Sequence, residues 1–258
     1  MKKLSMSTLL CPALMVFLPA TVFPQNADNG EVWEPVPVLV SGVMDGTIPS
    51  DAIVLFDGFN LDAWHNAETE QAAQWDIADG AVTVNRGAGT IKTRQAFADI
   101  QLHVEWRATD VIQGNGQGRG NSGIFLQSLY EVQVLDSWDN ATYVNGQAGS
   151  VYKQHAPLVN ASREPGEWQT YDIVFTAPHF DSNGVLISPA YVTLLHNGVL
   201  VLNHVEILGA TFTPTPEYAA SCAPYAQTRV QDCSGKMPIS LQDHGQVVSY
   251  RNIWLREI

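Results

Sequence analysis

Apolar residues recur at every second position through much of the chain, and short Asn-Gly and Asp-Gly pairs interrupt them. Ile100, Leu102, Val104 and Trp106 fall on one face, and Gln101, His103, Glu105 and Arg107 on the other. Tyr130, Val132 and Val134 alternate with Glu131 and Gln133, and Tyr171, Ile173 and Phe175 alternate with Asp172 and Val174. A period of two is the mark of a strand with one face in a core. Asn197-Gly198 lies between two such runs, residues 191–196 and 199–207, and Asp79-Gly80 between residues 74–78 and 81–85. Asn-Gly and Asp-Gly tolerate the positive φ angles of a two-residue hairpin. Asn183-Gly184 predicts a further turn, and residues 247–257 a closing strand. No long segment repeats its apolar residues every 3.6 positions. Many short strands joined by tight turns predict an all-β fold. At 258 residues, a two-sheet jelly-roll sandwich fits better than a small seven-stranded one.

The N-terminus carries Lys2 and Lys3, an uncharged apolar run over residues 9–18, and then small residues Ala20 and Thr21. That order reads as a secretory signal peptide over residues 1–25, and the run is too short to span a bilayer. Secretion or a periplasmic location is therefore expected. Residues 26–52 are rich in Pro, Gly, Asn and Asp, which predicts an extended segment ahead of a domain at 53–258. The formal net charge is −13, and loss of Lys2 and Lys3 with the leader takes it near −15. An acid surplus excludes phosphate-backbone binding as a principal role and disfavours an anionic membrane surface. The oligomeric state is not legible. Cys222 and Cys233 remain after the leader; in an oxidising compartment they are expected to pair, worth about 3 kcal/mol at most.

Four segments carry chemistry-bearing side chains. In Gly116-Gln117-Gly118-Arg119-Gly120-Asn121-Ser122-Gly123, glycines allow close backbone approach, and Arg119 offers a planar fork of donors. A flexible turn accounts for it equally well. In Tyr130-Glu131-Val132-Gln133-Val134-Leu135-Asp136, Glu131 and Gln133 share a face, which Asp136 joins only across a bulge. An acid and an amide two apart suit proton transfer and hydroxyl recognition. Lys153 and Trp168 are a candidate cation and a candidate stacking platform, although a tryptophan at a strand start also serves a core. Gln242-Asp243-His244-Gly245 sets a histidine beside a carboxylate, a pairing suited to proton transfer or metal ligation. There is no GxSxG, HExxH or dinucleotide-binding glycine pattern.

Taken in order, Val54-Leu55-Phe56-Asp57-Gly58, Trp75-Asp76-Ile77, Asn121-Ser122-Gly123-Ile124-Phe125, Tyr130-Glu131-Val132-Gln133-Val134-Leu135-Asp136, Pro165-Gly166-Glu167-Trp168, His196-Asn197-Gly198-Val199, Gln242-Asp243-His244-Gly245 and Arg251-Asn252-Ile253 resemble the 3-keto-disaccharide hydrolase family. The resemblance runs from about Ile53 to Ile258. It implies a concanavalin-like jelly roll, similar to laminarinase-type glucanases, acting on sugars already oxidised at C3. Where glucanase relatives alternate acids, this strand has Glu131, Gln133 and Leu135, so it does not clearly supply two carboxylates about 5 Å apart.

A ketone at C3 acidifies the C2 hydrogen. A base removes that proton, the C1 substituent leaves by elimination, and water adds to the unsaturated sugar. This scheme assigns His244 as base, oriented by Asp243, with Glu131 as alternative base or leaving-group acid. Arg119 or Lys153 would stabilise the enolate oxygen, and Asn121, Gln133, Asp136 and Gln242 would bind hydroxyls. The scheme runs without a cofactor or with a divalent metal in place of the cationic side chain, for which Glu131, Asp136, Asp243 and His244 could supply ligands. A non-catalytic carbohydrate-binding jelly roll and a conventional glycoside hydrolase are the competing classes.

Overall fold

A computed structural model describes residues 31–42, 47–181, 184–218 and 235–258. The leader, Cys222, Cys233 and Asn183 lie outside the described residues. The chain divides into two units, Met1–Leu39 and Val40–Ile258. Residues 31–39, the described part of the first, hold no strand or helix. Residues from Val40 belong to the body, where the Asp51 carboxylate accepts the Arg256 Nε–H at 2.8 Å.

Fifteen strands are described: β1 (Ile53–Phe56), β2 (Trp64–Asn66), β3 (Asp76–Ala78), β4 (Ala81–Thr83), β5 (Ile91–Thr93), β6 (Ile100–Ala108), β7 (Ser122–Leu126), β8 (Tyr130–Val134), β9 (Gln169–Thr176), β10 (His179–Phe180), β11 (Leu186–Ser188), β12 (Tyr191–His196), β13 (Val199–Glu206), β14 (Ser240–Leu241) and β15 (Val248–Glu257). The larger sheet runs β13-β12-β9-β6-β15-β4-β3, with β1 also on β15, and the smaller runs β2-β5-β14-β7-β8. β10 and β11 form a separate hairpin. The described helices are two single 3-10 turns. This is an all-β two-sheet jelly-roll sandwich, as the alternation predicts.

The strands follow the sequence pattern closely. β6 alternates buried and half-buried residues through all nine positions. Asn197 and Gly198 take φ of +51° and +77° between β12 and β13, and Asp79 and Gly80 take +51° and +73° between β3 and β4. Two successive positive φ values are what an I′ hairpin turn needs to match the strand twist.

The core forms where the two inner faces meet. Leu102, Val104, Trp106, Ile173 and Phe175 come from the larger sheet, and Ile124, Leu126, Val132, Val134 and Leu241 from the smaller; all are at most 1% exposed. Polar tips cross the core at fixed points. The Tyr171 hydroxyl donates to the Gln133 carbonyl at 2.8 Å, and the Tyr250 hydroxyl to Ser122 Oγ at 2.6 Å. Trp64 Nε1–H on β2 donates to the Leu55 carbonyl on β1 at 2.8 Å. Each bond satisfies a buried group while locking one sheet's position on the other.

Trp64 tests this packing. Trp64→Ala is expected to cost about 3–5 kcal/mol by opening a cavity. Trp64→Phe keeps much of the volume and strands the Leu55 carbonyl, costing about 1–3 kcal/mol. Urea denaturation followed by tryptophan fluorescence should show falling midpoints in that order with an unchanged slope.

Candidate active site

The polar side of the smaller sheet holds the acid. In the β7–β8 pair, Glu131 lies opposite Phe125 and Gln133 opposite Gly123. On the other side of β7, Ser240 lies opposite Phe125, and the Gln242 N–H donates to the Gly123 carbonyl. Inward residues Ile124, Val132 and Leu241 fill the core. By the period of two, Glu131, Gln133, Gly123, Phe125, Ser240 and Gln242 therefore occupy the opposite face.

That face is not wet. All five residues of β8 are buried, and Glu131 and Gln133 are each 1% exposed. Simple alternation predicts solvent at those two positions; the covering chain removes it. Three aromatic rings cluster on the Glu131 side of the sheet. Phe125 is its cross-strand partner, Tyr152 donates its backbone N–H to the Glu131 carbonyl at 3.0 Å, and Phe212 joins the other two. The Phe212 ring stacks on Phe125 at 6.0 Å and lies 5.1 Å from Tyr152. The backbone N–H of Glu131 donates to Thr211 Oγ1 at 3.3 Å, fixing the covering segment over the strand.

Gly123 makes room for the carboxyl. A Cβ there would fall 2.5 Å from Glu131 Oε1 and 2.8 Å from the Phe125 ring. The Glu131 side chain thus leans across the bare backbone of β7. Around this notch, Glu131 Oε2, Gln133 Oε1 and Gln242 Oε1 are buried acceptors without a hydrogen-bond partner. Buried acceptors normally find donors. Three on one notch make a pocket ready for the hydroxyl groups of a ligand. Burial pushes the Glu131 carboxyl up to about 8, against the downward pull of the Lys153 cation. A cavity of about 470 Å³ adjoins the notch, lined by Thr90, Lys92, Phe125, Ser240 and Gln242 among others.

The other expected site residues divide between this notch and structural work. Gln133 and Gln242 belong to the notch, and Lys153 acts on Glu131 through its charge. Lys153 Nζ lies 5.3 Å from the Tyr152 ring centre. Asn121 holds a loop: its Nδ2 donates to the Gln117 carbonyl at 2.8 Å, and its N–H to Gln246 Oε1. Arg119 is not a free donor for an enolate oxygen. Its Nε–H meets Asp136 Oδ2 at 2.6 Å, and its other nitrogens donate to the carbonyls of Trp138 and Asp139. Asp136 is correspondingly committed to Arg119 and the Trp138 N–H rather than to hydroxyls.

Asp243 does not orient His244. One carboxylate oxygen accepts the Gly87 and Gly89 N–H groups at 2.7 and 3.0 Å, and the other accepts Gly245 N–H at 2.9 Å. Loop closure outcompetes the imidazole because three amides converge on the acid. His244 itself is exposed in the loop after β14. The proposed metal set of Glu131, Asp136, Asp243 and His244 is not assembled. Among the described residues, no group of three or more His, Cys, Asp or Glu side chains is placed to hold a metal ion.

Trp168 is on the far side of the sandwich. Its ring lies 4.6 Å from the Arg107 guanidinium and 4.1 Å from that of Arg251. Arg107 and Arg251 occupy the outward face of β6 and β15, where Arg251 also pairs with Glu105 at 2.6 Å. On the same face His103 meets Asp172 at 2.7 Å and stacks on Trp254. Burial alone would lower His103, but hydrogen bonds with Asp172 and Glu105 carry it up to about 9. This charged network had no motif to announce it. Nor did Phe212 and Tyr152, which come from irregular segments without periodicity.

The buried acid has a consequence for stability. Glu131 holds its proton to about pH 8 when folded and releases it near its ordinary value when unfolded. The folded state binds more protons between those values, so the residue's contribution to stability declines as pH rises through that window. Glu131→Gln removes the ionisation. The variant is expected to be more stable than the parent at pH 7 and to lose stability less steeply between pH 5 and 8, as measured by urea denaturation across that range.

Comparisons with known proteins agree with this architecture. No curated protein matches the chain. A crystal structure from Parabacteroides distasonis, provisionally named a glycosyl hydrolase, shares 48% identity and a TM-score of 0.79, over 89% of this chain and 95% of that one. Two others from the same organism, named likewise, share the fold at 18% and 20% identity, with TM-scores of 0.54 and 0.52. They cover 81% and 80% of this chain, and 94% and 99% of their own. The model of the 3-keto-alpha-glucoside-1,2-lyase-like domain matches residues 51–256. The chain belongs to that family of sugar-active, glycosyl hydrolase- or lyase-like domains.

Proposed function

We propose that this protein cleaves the glycosidic bond of 3-keto-glycosides by elimination and hydration, with Glu131 as the acid that protonates the leaving oxygen. The observation that carries the reading is the buried Glu131 carboxyl, raised to about 8 and leaning over Gly123 with one oxygen unpartnered. At neutral pH such a group is mostly protonated, as a leaving-group acid must be. Family membership supports the sugar and the keto group.

A base takes the C2 proton, the electron pair moves toward the C3 oxygen, and an enediolate forms. Collapse of that pair expels the C1 oxygen, which takes its proton from Glu131. Water then adds to the unsaturated keto-sugar: its hydroxyl goes to C1, its proton restores Glu131, and the base returns its proton to C2. We assign the C2 proton to His244, whose exposed ring follows Gln242 in the same loop. Lys153, whose charge already reaches Glu131, is the cation for the C3 oxygen, since Arg119 is committed to Asp136. Gln133 and Gln242 offer their unpartnered oxygens to sugar hydroxyls. None of the residues facing Glu131 on β7, β8 and β14 is a second carboxylate. This setting favours elimination over the paired-carboxylate route. The basic, apolar, small-residue start of the sequence supports action outside the cytoplasm.

The test is turnover of a 3-keto-glucoside beside its unoxidised parent. Only the keto substrate is expected to yield product. Glu131→Gln should lower turnover of an alkyl 3-keto-glucoside by about 100-fold or more, and His244→Ala by a similar factor. With 4-nitrophenolate leaving, which needs no proton, the Glu131→Gln loss should largely vanish while the His244→Ala loss persists. For the alkyl substrate, activity should fall as pH rises through about 8, where Glu131 loses its proton. An equal Glu131→Gln loss for both leaving groups would remove Glu131 from the acid role. Cleavage of the parent sugar, or binding without cleavage, would overturn the reading as a whole.

A further inference from the structure

The rings that bury Glu131 continue outward as an exposed strip. Phe212 stacks on Phe125 with an interplanar angle of 14°, Tyr152 follows at 5.1 Å, and Tyr143 lies 6.1 Å beyond Tyr152. Phe212 is 55% exposed and Tyr143 41%. Val144 and Leu208, 69% and 48% exposed, keep the margins apolar. Contiguous exposed apolar surface beside a buried acid is what a ligand groove looks like before it is filled.

The strip is held in place rather than left over. Phe212 sits at φ +70° and Lys153 at +60°, in the left-handed region that bulky side chains rarely adopt. Tyr143 packs its ring on Gly146, where no Cβ would fit. Apart from the Lys153 ammonium, 5.3 Å from the Tyr152 ring centre, the strip offers few free polar groups. The phenols of Tyr143 and Tyr152 are bonded to each other at 2.5 Å. Gln154 is engaged by the Leu208 N–H and the Gly209 carbonyl. A sugar could stack one face here, but its several hydroxyls would find few partners on this surface. A flat aromatic group would match it.

We propose that Phe212, Tyr152 and Tyr143 form the subsite for the departing group, and that this group is a planar aromatic aglycone. The inference rests on the elimination reading for its place in the reaction, because the departing oxygen must lie beside Glu131. Removing Phe212 would also open Glu131 to water, so the same residue positions the acid.

The experiment compares a phenyl 3-keto-glucoside with a 3-keto-disaccharide of the same anomeric configuration. The wild-type KM is expected to be at least tenfold lower for the phenyl substrate. Phe212→Ala and Tyr143→Ala should each raise that KM tenfold or more, and by a clearly larger factor than they raise the disaccharide KM. In Phe212→Ala the alkaline limb of the pH profile should also move down, and Phe212→Leu should restore the limb but not the phenyl preference. A second arm needs no turnover: calorimetric titration with unoxidised phenyl and methyl glucosides. There the phenyl compound should bind at least tenfold tighter to the wild type, and equally to Phe212→Ala. If neither keto substrate is cleaved, the elimination reading fails and the titration alone decides the subsite. No phenyl preference in the titration, or equal KM effects of the variants on both keto substrates, would overturn the aromatic subsite.

Discussion

The register of β7 against β8 sets everything that follows on the polar face. It places Glu131 opposite Phe125 and Gln133 opposite Gly123, while Ile124 and Val132 point into the core. A slip of one residue would exchange the faces and put a carboxyl into the sandwich interior. Tyr171 guards that register from the other sheet by bonding the Gln133 carbonyl, and Tyr250 does so through Ser122. The core hydroxyls and the polar face that carries Glu131 are thus two sides of the same strands.

Desolvation then turns an ordinary glutamate into an acid suited to neutral pH. Glu131 is nearly as buried as the core residues beside it, yet its second oxygen has no partner. Burying a polar group without a hydrogen bond costs stability, and burying it charged costs far more, so the carboxyl keeps its proton. In the proposed reaction a sugar oxygen supplies the missing contact. Arg119 and Asp136 show the contrasting arrangement, a buried charge pair satisfied on all sides and fit for holding a loop. Removing either partner would leave an uncompensated charge, which is why such pairs are structural when complete.

The strands were legible from the sequence because period-two alternation and Asn-Gly or Asp-Gly turns are local signals. β6, β12 and the closing strand begin and end within a residue or two of where the alternation places them. The shared face of Glu131 and Gln133 was legible for the same reason. What was hidden depends on loops. Asp243 beside His244 looks like a catalytic pair, but Gly87 and Gly89, more than 150 positions earlier, claim the carboxylate. Trp168 looks like a sugar platform, but Arg107 and Arg251 already occupy its ring on the opposite face. Phe212, in a Thr-Phe-Thr-Pro run without periodicity, gave no signal of its stacking on Phe125.

The central claim is that Glu131 carries a proton at neutral pH because its surroundings exclude water. Carbon-13 NMR of side-chain-labelled glutamate, assigned with Glu131→Gln, measures that directly. The Glu131 carboxyl should titrate near pH 8, well apart from the exposed glutamates. A Glu131 resonance that titrates in the usual carboxylate range, near pH 4 to 5, would contradict the account.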